Sequence, residues 1–129
     1  MKKQMTKILY IAIDGDDVGK RLEYYIVTNQ VNQLSEYFQV YQEAMSWIEE
    51  ELIQTLNATV IINGGDSLLA FCENDIQASE ILEALRAKFS FRTNATLSIG
   101  LGENPRRAYF ALKLAKASGK NRIEVFEEC

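Results

Sequence analysis

Asn63-Gly64-Gly65-Asp66-Ser67 lies between two short apolar runs, Ala58-Thr59-Val60-Ile61-Ile62 and Leu68-Leu69-Ala70-Phe71-Cys72. Both runs are β-branched or bulky and bounded by turn residues, so they predict two strands joined by a tight hairpin. Asn63-Gly64 is a strong hairpin signal, because the central residues of such a turn must accept positive φ. Taken alone, the stretch is a hairpin with a polar tip. A second acidic site changes its meaning. The apolar run from Lys7 to Ile13 suits a central strand buried on both faces, and it ends in Asp14-Gly15-Asp16-Asp17-Val18-Gly19. A strand ending in aspartate and a hairpin carrying aspartate offer two carboxylates to one site.

The rest of the chain predicts how the two acids meet. A short helix is expected from about Val18 to Val27, then a long one from about Val31 to Leu56. Val31, Leu34, Phe38, Tyr41, Met45, Ile48, Leu52 and Leu56 form one apolar stripe along it, while Glu49, Glu50 and Glu51 make a solvated face. At about 1.5 Å per residue that helix spans roughly 39 Å, longer than a small sheet needs, which leaves its far end free to meet another subunit. A third helix is expected over 75–89, with Asn74 as N-cap, Gln77 in the capping-box position, and Ala78, Leu82, Leu85 and Phe89 inward. Residues 96–101 alternate as a strand with Leu97, Ile99 and Leu101 on one face. Asn104-Pro105 starts a fourth helix and Gly119 stops it, with Ala108, Ala111, Leu112 and Ala115 inside; a last strand covers 122–126. The order is βααββαβαβ over a single domain, residues 1–129. It contains β-α-β-β-α-β, so the class is α+β, a ferredoxin-like antiparallel central sheet with helices packed on it. In that topology the first strand neighbours a hairpin strand, and Asp14 lies near Gly64-Gly65-Asp66.

Composition narrows the chemistry. The net charge of −4 argues against duplex nucleic acid as a partner, which calls for a broad basic face, but leaves room for a nucleotide. Histidine is absent, so Ser-His-Asp and Cys-His nucleophiles and histidine-held zinc are excluded. Cys72 and Cys129 show no metal-ligand spacing and read as reduced thiols. The apolar run behind the basic start, Ile8 to Ile13, is too short for export, and nothing approaches a membrane span. A soluble cytoplasmic protein is expected, with no membrane partner.

Three blocks carry a resemblance: Ile13-Asp14-Gly15-Asp16, Gly64-Gly65-Asp66-Ser67, and LSIGLG (97–102) followed by ALKLAKASGKNRIEVF (111–126). They resemble the palm superfamily of GGDEF diguanylate cyclases and the CRISPR polymerase, and above all its short stand-alone form, the minimal CRISPR polymerase (mCpol) family. The resemblance spans essentially the whole chain. It implies a pyrophosphate-releasing nucleotidyltransferase that makes a cyclic di- or oligonucleotide from nucleoside triphosphates, ATP or GTP. It further implies antiviral signalling and a separate effector that reads the nucleotide. Asp14 and Asp66 would be the catalytic acids and, with the carbonyl of Gly15, would hold Mg²⁺ or Mn²⁺, ions that favour hard oxygens plus substrate phosphates. Gly64 and Gly65 would let the nucleotide approach the backbone, beside Ser67, and Lys116 matches the family's phosphate-contacting lysine. Arg106, Lys113 and Lys116 share one helix face, with Lys120 and Arg122 beyond its stop. That cluster is either a solvated face favoured at a helix C-terminus or a triphosphate site. Asp16 and Asp17 are candidates for metal and nucleotide contact, or else cap the next helix. Two nucleotides must meet to form a cyclic dinucleotide, so a homodimer or larger homo-oligomer is expected.

Ser67 departs from GGDEF enzymes by replacing their metal-binding glutamate, and the guanine-reading positions are not clearly matched; Asn29 and Asn32 lie only in the right region. Asp14-Gly15-Asp16-Asp17-Val18 also fits the haloacid-dehalogenase phosphatase signature, with Asp14 as nucleophile and Asp16 as acid, but the hairpin breaks the strand-helix alternation of that fold. An EF-hand fails at Val18 and Tyr25, and a P-loop fails on glycine spacing and at Arg21. A silent nucleotide sensor and a nucleotide hydrolase resembling GTP cyclohydrolases are the remaining alternatives.

Overall fold

A computed structural model of the chain describes residues 7–73 and 77–126. The elements are β1 (Ile8–Gly15), α1 (Val18–Val27), α2 (Val31–Leu56), β2 (Thr59–Asn63), β3 (Ser67–Glu73), α3 (Ala78–Thr93), β4 (Leu97–Gly102), α4 (Pro105–Ala117) and β5 (Ile123–Val125). The sheet order is β2-β3-β1-β4-β5. The first four strands pair antiparallel in the ferredoxin-like way, and β5 joins parallel to β4 after the α4 crossover.

Strand alternation decides which helix covers which face. Leu9, Ile11 and Ile13 of β1, Leu68 and Ala70 of β3, and Leu97, Ile99 and Leu101 of β4 point to one side. There they meet Met45, Ile48 and Leu52 of α2 and Leu82, Leu85 and Phe89 of α3. Truncating one such side chain to alanine costs about 2–5 kcal/mol. The opposite face carries a smaller cluster of Ala12, Ala108 and Leu112, with Tyr10 and Leu69 against it. Gly100 and Gly102 lie under α4, and a Cβ at either would collide with its backbone around Arg107, Ala108 and Leu112. The alternation Leu-Ser-Ile-Gly-Leu-Gly thus gives β4 one apolar and one small face, and α4 seats directly on the small one.

The structure corrects several expectations. The apolar stripe of α2 is buried only from Tyr41 onward; Val31 and Phe38 are exposed, and Tyr37 in the N-terminal half of the helix meets Tyr25 and Arg21 of α1. The hairpin turn is centred on Gly65 and Asp66, not on Asn63-Gly64. Gly64 N–H donates to the Ser67 carbonyl at 2.9 Å, and Gly65 alone in the turn has positive φ, at 93°. Asn63 remains in β2, where its Oδ1 accepts from Gly65 N–H. Helix α3 continues to Thr93 and closes on Asn94 in the left-handed region; its proposed cap, Asn74, lies outside the described residues, as do Asp75 and Cys129. Asn104 caps α4 as expected, accepting from Arg107 N–H at 2.9 Å, and Gly119 follows it with φ 120°. Among the described residues, no helix is long and apolar enough to cross a membrane.

Candidate active site

The β1–β3 register places Asp14 opposite Ser67. One residue further, Gly15 N–H donates to the Asp66 carbonyl at 2.9 Å, so the hairpin tip is tied to the end of β1 through the backbone. The Tyr41 hydroxyl, from α2, reaches the same carbonyl at 3.3 Å. Burial first, and then the charges of Asp14 and Asp66, push the Tyr41 hydroxyl far above its ordinary pKa, so it remains a donor. Gly15 must be glycine, because a Cβ there would collide with the Tyr41 hydroxyl and Val18. Gly65 is required by its φ. Gly64 is not required by packing: a Cβ there would meet only Ser67 atoms at 3.8 and 3.9 Å.

Asp14 is partly open to solvent and its carboxyl is held above the ordinary range. Burial is the main cause, the charges of Asp66 and Asp16 add to it, and the Lys116 ammonium opposes it. Asp66 is exposed on the hairpin. Lys116 Nζ lies 3.0 Å from Asp14 Oδ2, 3.0 Å from the Gly15 carbonyl oxygen and 2.7 Å from Asp16 Oδ1. Burial works against the Lys116 charge, but its bonds to Asp16 and Asp14 outweigh that and hold its pKa above the ordinary lysine value. The Asp14 carboxylate, the Gly15 carbonyl and Asp16 Oδ1 therefore converge on the Lys116 ammonium.

Asp16 is placed differently from Asp14. Its side chain is only 2% exposed. Ser98 Oγ–H and Lys116 donate to Oδ1 at 2.7 Å each, while Thr96 Oγ1–H and the backbone N–H of Asn121 donate to Oδ2 at 2.6 and 2.9 Å. Burial raises its pKa, but these four donors outweigh it and hold the carboxyl below the ordinary range. Two donors on each oxygen occupy the lone pairs that a metal would need. Asp16 is thus tied to β4, α4 and the turn before β5, an arrangement that tells against the expected metal contact, and the N-cap position of α1 falls on Asp17 instead. Asp17 occupies the N-cap position of α1 in the left-handed region but makes no capping bond. It pairs with Lys120 at 2.6 Å, which lowers its pKa.

Two cavities meet at the acids. One, of about 300 Å³, runs from Gly64, Gly65 and Asp66 between α1 and α2, past Val18, Leu22, Tyr37, Phe38 and Tyr41. The other, of about 670 Å³, runs from Asp14, Ser67 and Lys116 along α4 past Lys113. Asn29 and Asn32 line neither. Thr96, Ser98, Asn121 and Tyr41 are the site's supports that sequence reasoning missed. Ser98 had a signal, since it lies on the small face of β4. Tyr41 was hidden in an apolar stripe.

The oxygens of Asp14, Gly15 and Asp66 are of the kind that could hold a divalent ion. Mg²⁺ is usually held by one or two carboxylates plus substrate phosphates. Among the described residues no group of three acidic, cysteine or histidine side chains gathers as an all-protein cage. Asp14, the Gly15 carbonyl and Asp66 are the donors that suit it.

A ferredoxin-like sheet with aspartates at adjoining ends of its two central strands defines the palm class of nucleotide cyclases and polymerases. The chain belongs to the mCpol family, whose minimal CRISPR polymerase domain matches residues 10–126. Its fold is similar to the GGDEF domain of DgcB from Caulobacter crescentus in complex with c-di-GMP, with TM-score 0.70, 22% identity, and coverage of 95% of this chain and 80% of that one. It is also similar to the active GGEEF domain of a diguanylate cyclase from Vibrio cholerae, with TM-score 0.68, 17% identity, and 96% and 85% coverage. A third similar structure is the Csm1-Csm4 cassette in complex with pppApA, with TM-score 0.68 and 20% identity; 91% of this chain matches 20% of that one. At these identities the likeness is one of fold. No curated protein sequence matches the chain.

Proposed function

We propose that this protein condenses nucleoside triphosphates, ATP or GTP, into a cyclic di- or oligonucleotide and releases pyrophosphate. The observation that carries the reading is the convergence of the Asp14 carboxylate and the Gly15 carbonyl on the Lys116 ammonium, at the point where the backbone of Asp66 is tied to Gly15. Asp14, Asp66 and the Gly15 carbonyl would hold Mg²⁺ or Mn²⁺. Bound there, the ion would supply Lewis-acid activation of a ribose hydroxyl and charge stabilisation for the leaving pyrophosphate. In each condensation a ribose hydroxyl oxygen bonds to the α-phosphorus of a second nucleotide, the bond to the β-phosphate bridge breaks, and the hydroxyl proton passes to solvent.

The chain's own residues bind and orient. Gly64, where a Cβ position meets nothing nearer than Ser67 at 3.8 Å, admits the nucleotide to the hairpin backbone, and the aromatic cavity of Tyr37, Phe38 and Tyr41 receives the base. Lys116 keeps Asp16 as its anchor and turns its remaining donors to the triphosphate, with Lys120 at the outer end. The single set of acids on one chain implies that two copies face each other to join two nucleotides. Membership of mCpol supports a role in antiviral signalling through an effector that reads the product. The neighbours in complex with c-di-GMP and pppApA support a nucleotide product.

The test is mass spectrometry of products formed from all four nucleoside triphosphates with Mg²⁺ or Mn²⁺, beside an Asp66→Asn control. A cyclic product lost in the control is the expected result. Free phosphate or an opened base instead identifies a hydrolase, and bound nucleotide without turnover identifies a sensor.

A further inference from the structure

Charge is distributed very unevenly in this acidic protein. Between Asn104 and Ile123 fall six of its 14 basic residues and none of its 18 acidic ones. Arg106, Tyr109, Lys113 and Lys116 recur at helical spacing and line one wall of the 670 Å³ groove. The facing wall is apolar, made by Ile62 of β2 and Leu69 of β3. The volume lies within the usual pocket range of about 300–1,000 Å³. Arg106 and Lys113 have no carboxylate partner among the described residues; Arg106 stacks on Phe110 at 5.4 Å and Lys113 on Tyr109 at 5.1 Å. Cations left unpaired in this way keep their full charge for a ligand.

We infer that this groove binds a short single-stranded oligonucleotide, its phosphates on Arg106 and Lys113 and its bases on Tyr109 and the apolar wall. A basic track interleaved with stacking surface is the usual means of holding a single strand. Arg106 precedes Lys116 by ten residues, about 15 Å along the helix, so the groove extends well past the point where a triphosphate would be held at Lys116. The groove opens onto Asp14, so a strand lying in it ends at the acids. The groove stands on its own geometry. That its strand is the linear intermediate of this chain's own synthesis rests on the cyclase reading above.

The test follows the fluorescence anisotropy of labelled tetra-adenylate over a range of salt. It compares the wild-type protein with Arg106→Gln and, on the facing wall, Ile62→Asp, and measures ATP binding in parallel. Both positions are exposed, so neither substitution opens the core, and circular dichroism of each variant checks that it is folded. Each should weaken tetra-adenylate about fivefold and leave ATP binding unchanged. Arg106→Gln should also lower the salt slope by about 0.7, one phosphate contact's worth. Absence of tetra-adenylate binding to the wild type, or equal binding to all three proteins, overturns the groove. So does a parallel loss of ATP binding, which would assign these walls to the mononucleotide. Strand binding that depends on both walls upholds the groove even if no cyclic product forms.

Discussion

Replacing Asp16 by asparagine separates a positioning carboxylate from a metal ligand. In the wild type four donors converge on the two oxygens. An asparagine amide keeps one acceptor oxygen and presents an NH₂ to the other pair. The hydroxyl of Thr96 or Ser98 can turn to accept from that NH₂, but the Asn121 N–H and the Lys116 ammonium cannot. One donor is thus left facing a donor in a buried site, whichever way the amide is turned. Losing a charge-assisted bond and leaving a buried donor unpaired costs about 2–4 kcal/mol. That is a large part of an ordinary domain stability of about 5–15 kcal/mol, and corresponds to a melting temperature lower by roughly 10 °C at neutral pH. Thermal and guanidinium unfolding followed by circular dichroism, without metal, measure it. The pH dependence has a definite sign. The folded-state pKa of Asp16 is depressed, so its contribution is complete above the unfolded value of about 3.9 and is lost as pH falls toward the lower folded value. The gap between wild type and variant should therefore close in acid. A metal ligand would behave otherwise, leaving metal-free stability unchanged or improved in the variant. Equal melting at neutral pH, or a gap that widens in acid, would refute the reasoning.

Three other substitutions have definite expected outcomes. Asp14→Asn should abolish product formation yet melt no lower than wild type without metal, because burial and the neighbouring acids hold that carboxyl's pKa above the ordinary range. In the wild type, Asp14 should accordingly lose stability as pH rises from the unfolded value through the raised folded one, a slope that the variant lacks. Gly100→Ala drives a methyl into the backbone of α4 and should cost about 1–3 kcal/mol or more. Gly19→Ala, in α1 with nothing within 4 Å of the new methyl, should stabilise by roughly 0.5–1 kcal/mol; comparing their denaturant midpoints checks both.

Much of this molecule is legible from local pattern. The elements follow from apolar spacing, and Asn104-Pro105 and Gly119 mark α4 because capping is a property of a few adjacent residues. The ferredoxin-like order alone brings Asp14 to Asp66, since strand order in so small a sheet has few alternatives. The length of the buried stripe on α2 was not legible. Its periodicity continues to Val31, but burial stops at Tyr41, because periodicity is local and burial depends on what packs against each turn. Nor was the division of labour among Asp14, Asp16 and Asp17. Three acids within four residues look alike in sequence. Their roles diverge because Thr96 and Ser98 come from β4 and Asn121 from the turn before β5, roughly a hundred residues away along the chain. Residue type and local spacing therefore determine which groups are available and in which element. Only the folded sheet decides which acid is caged, which stays open to a cation, and where Lys116 points, because hydrogen-bond partners and burial belong to neighbours in space.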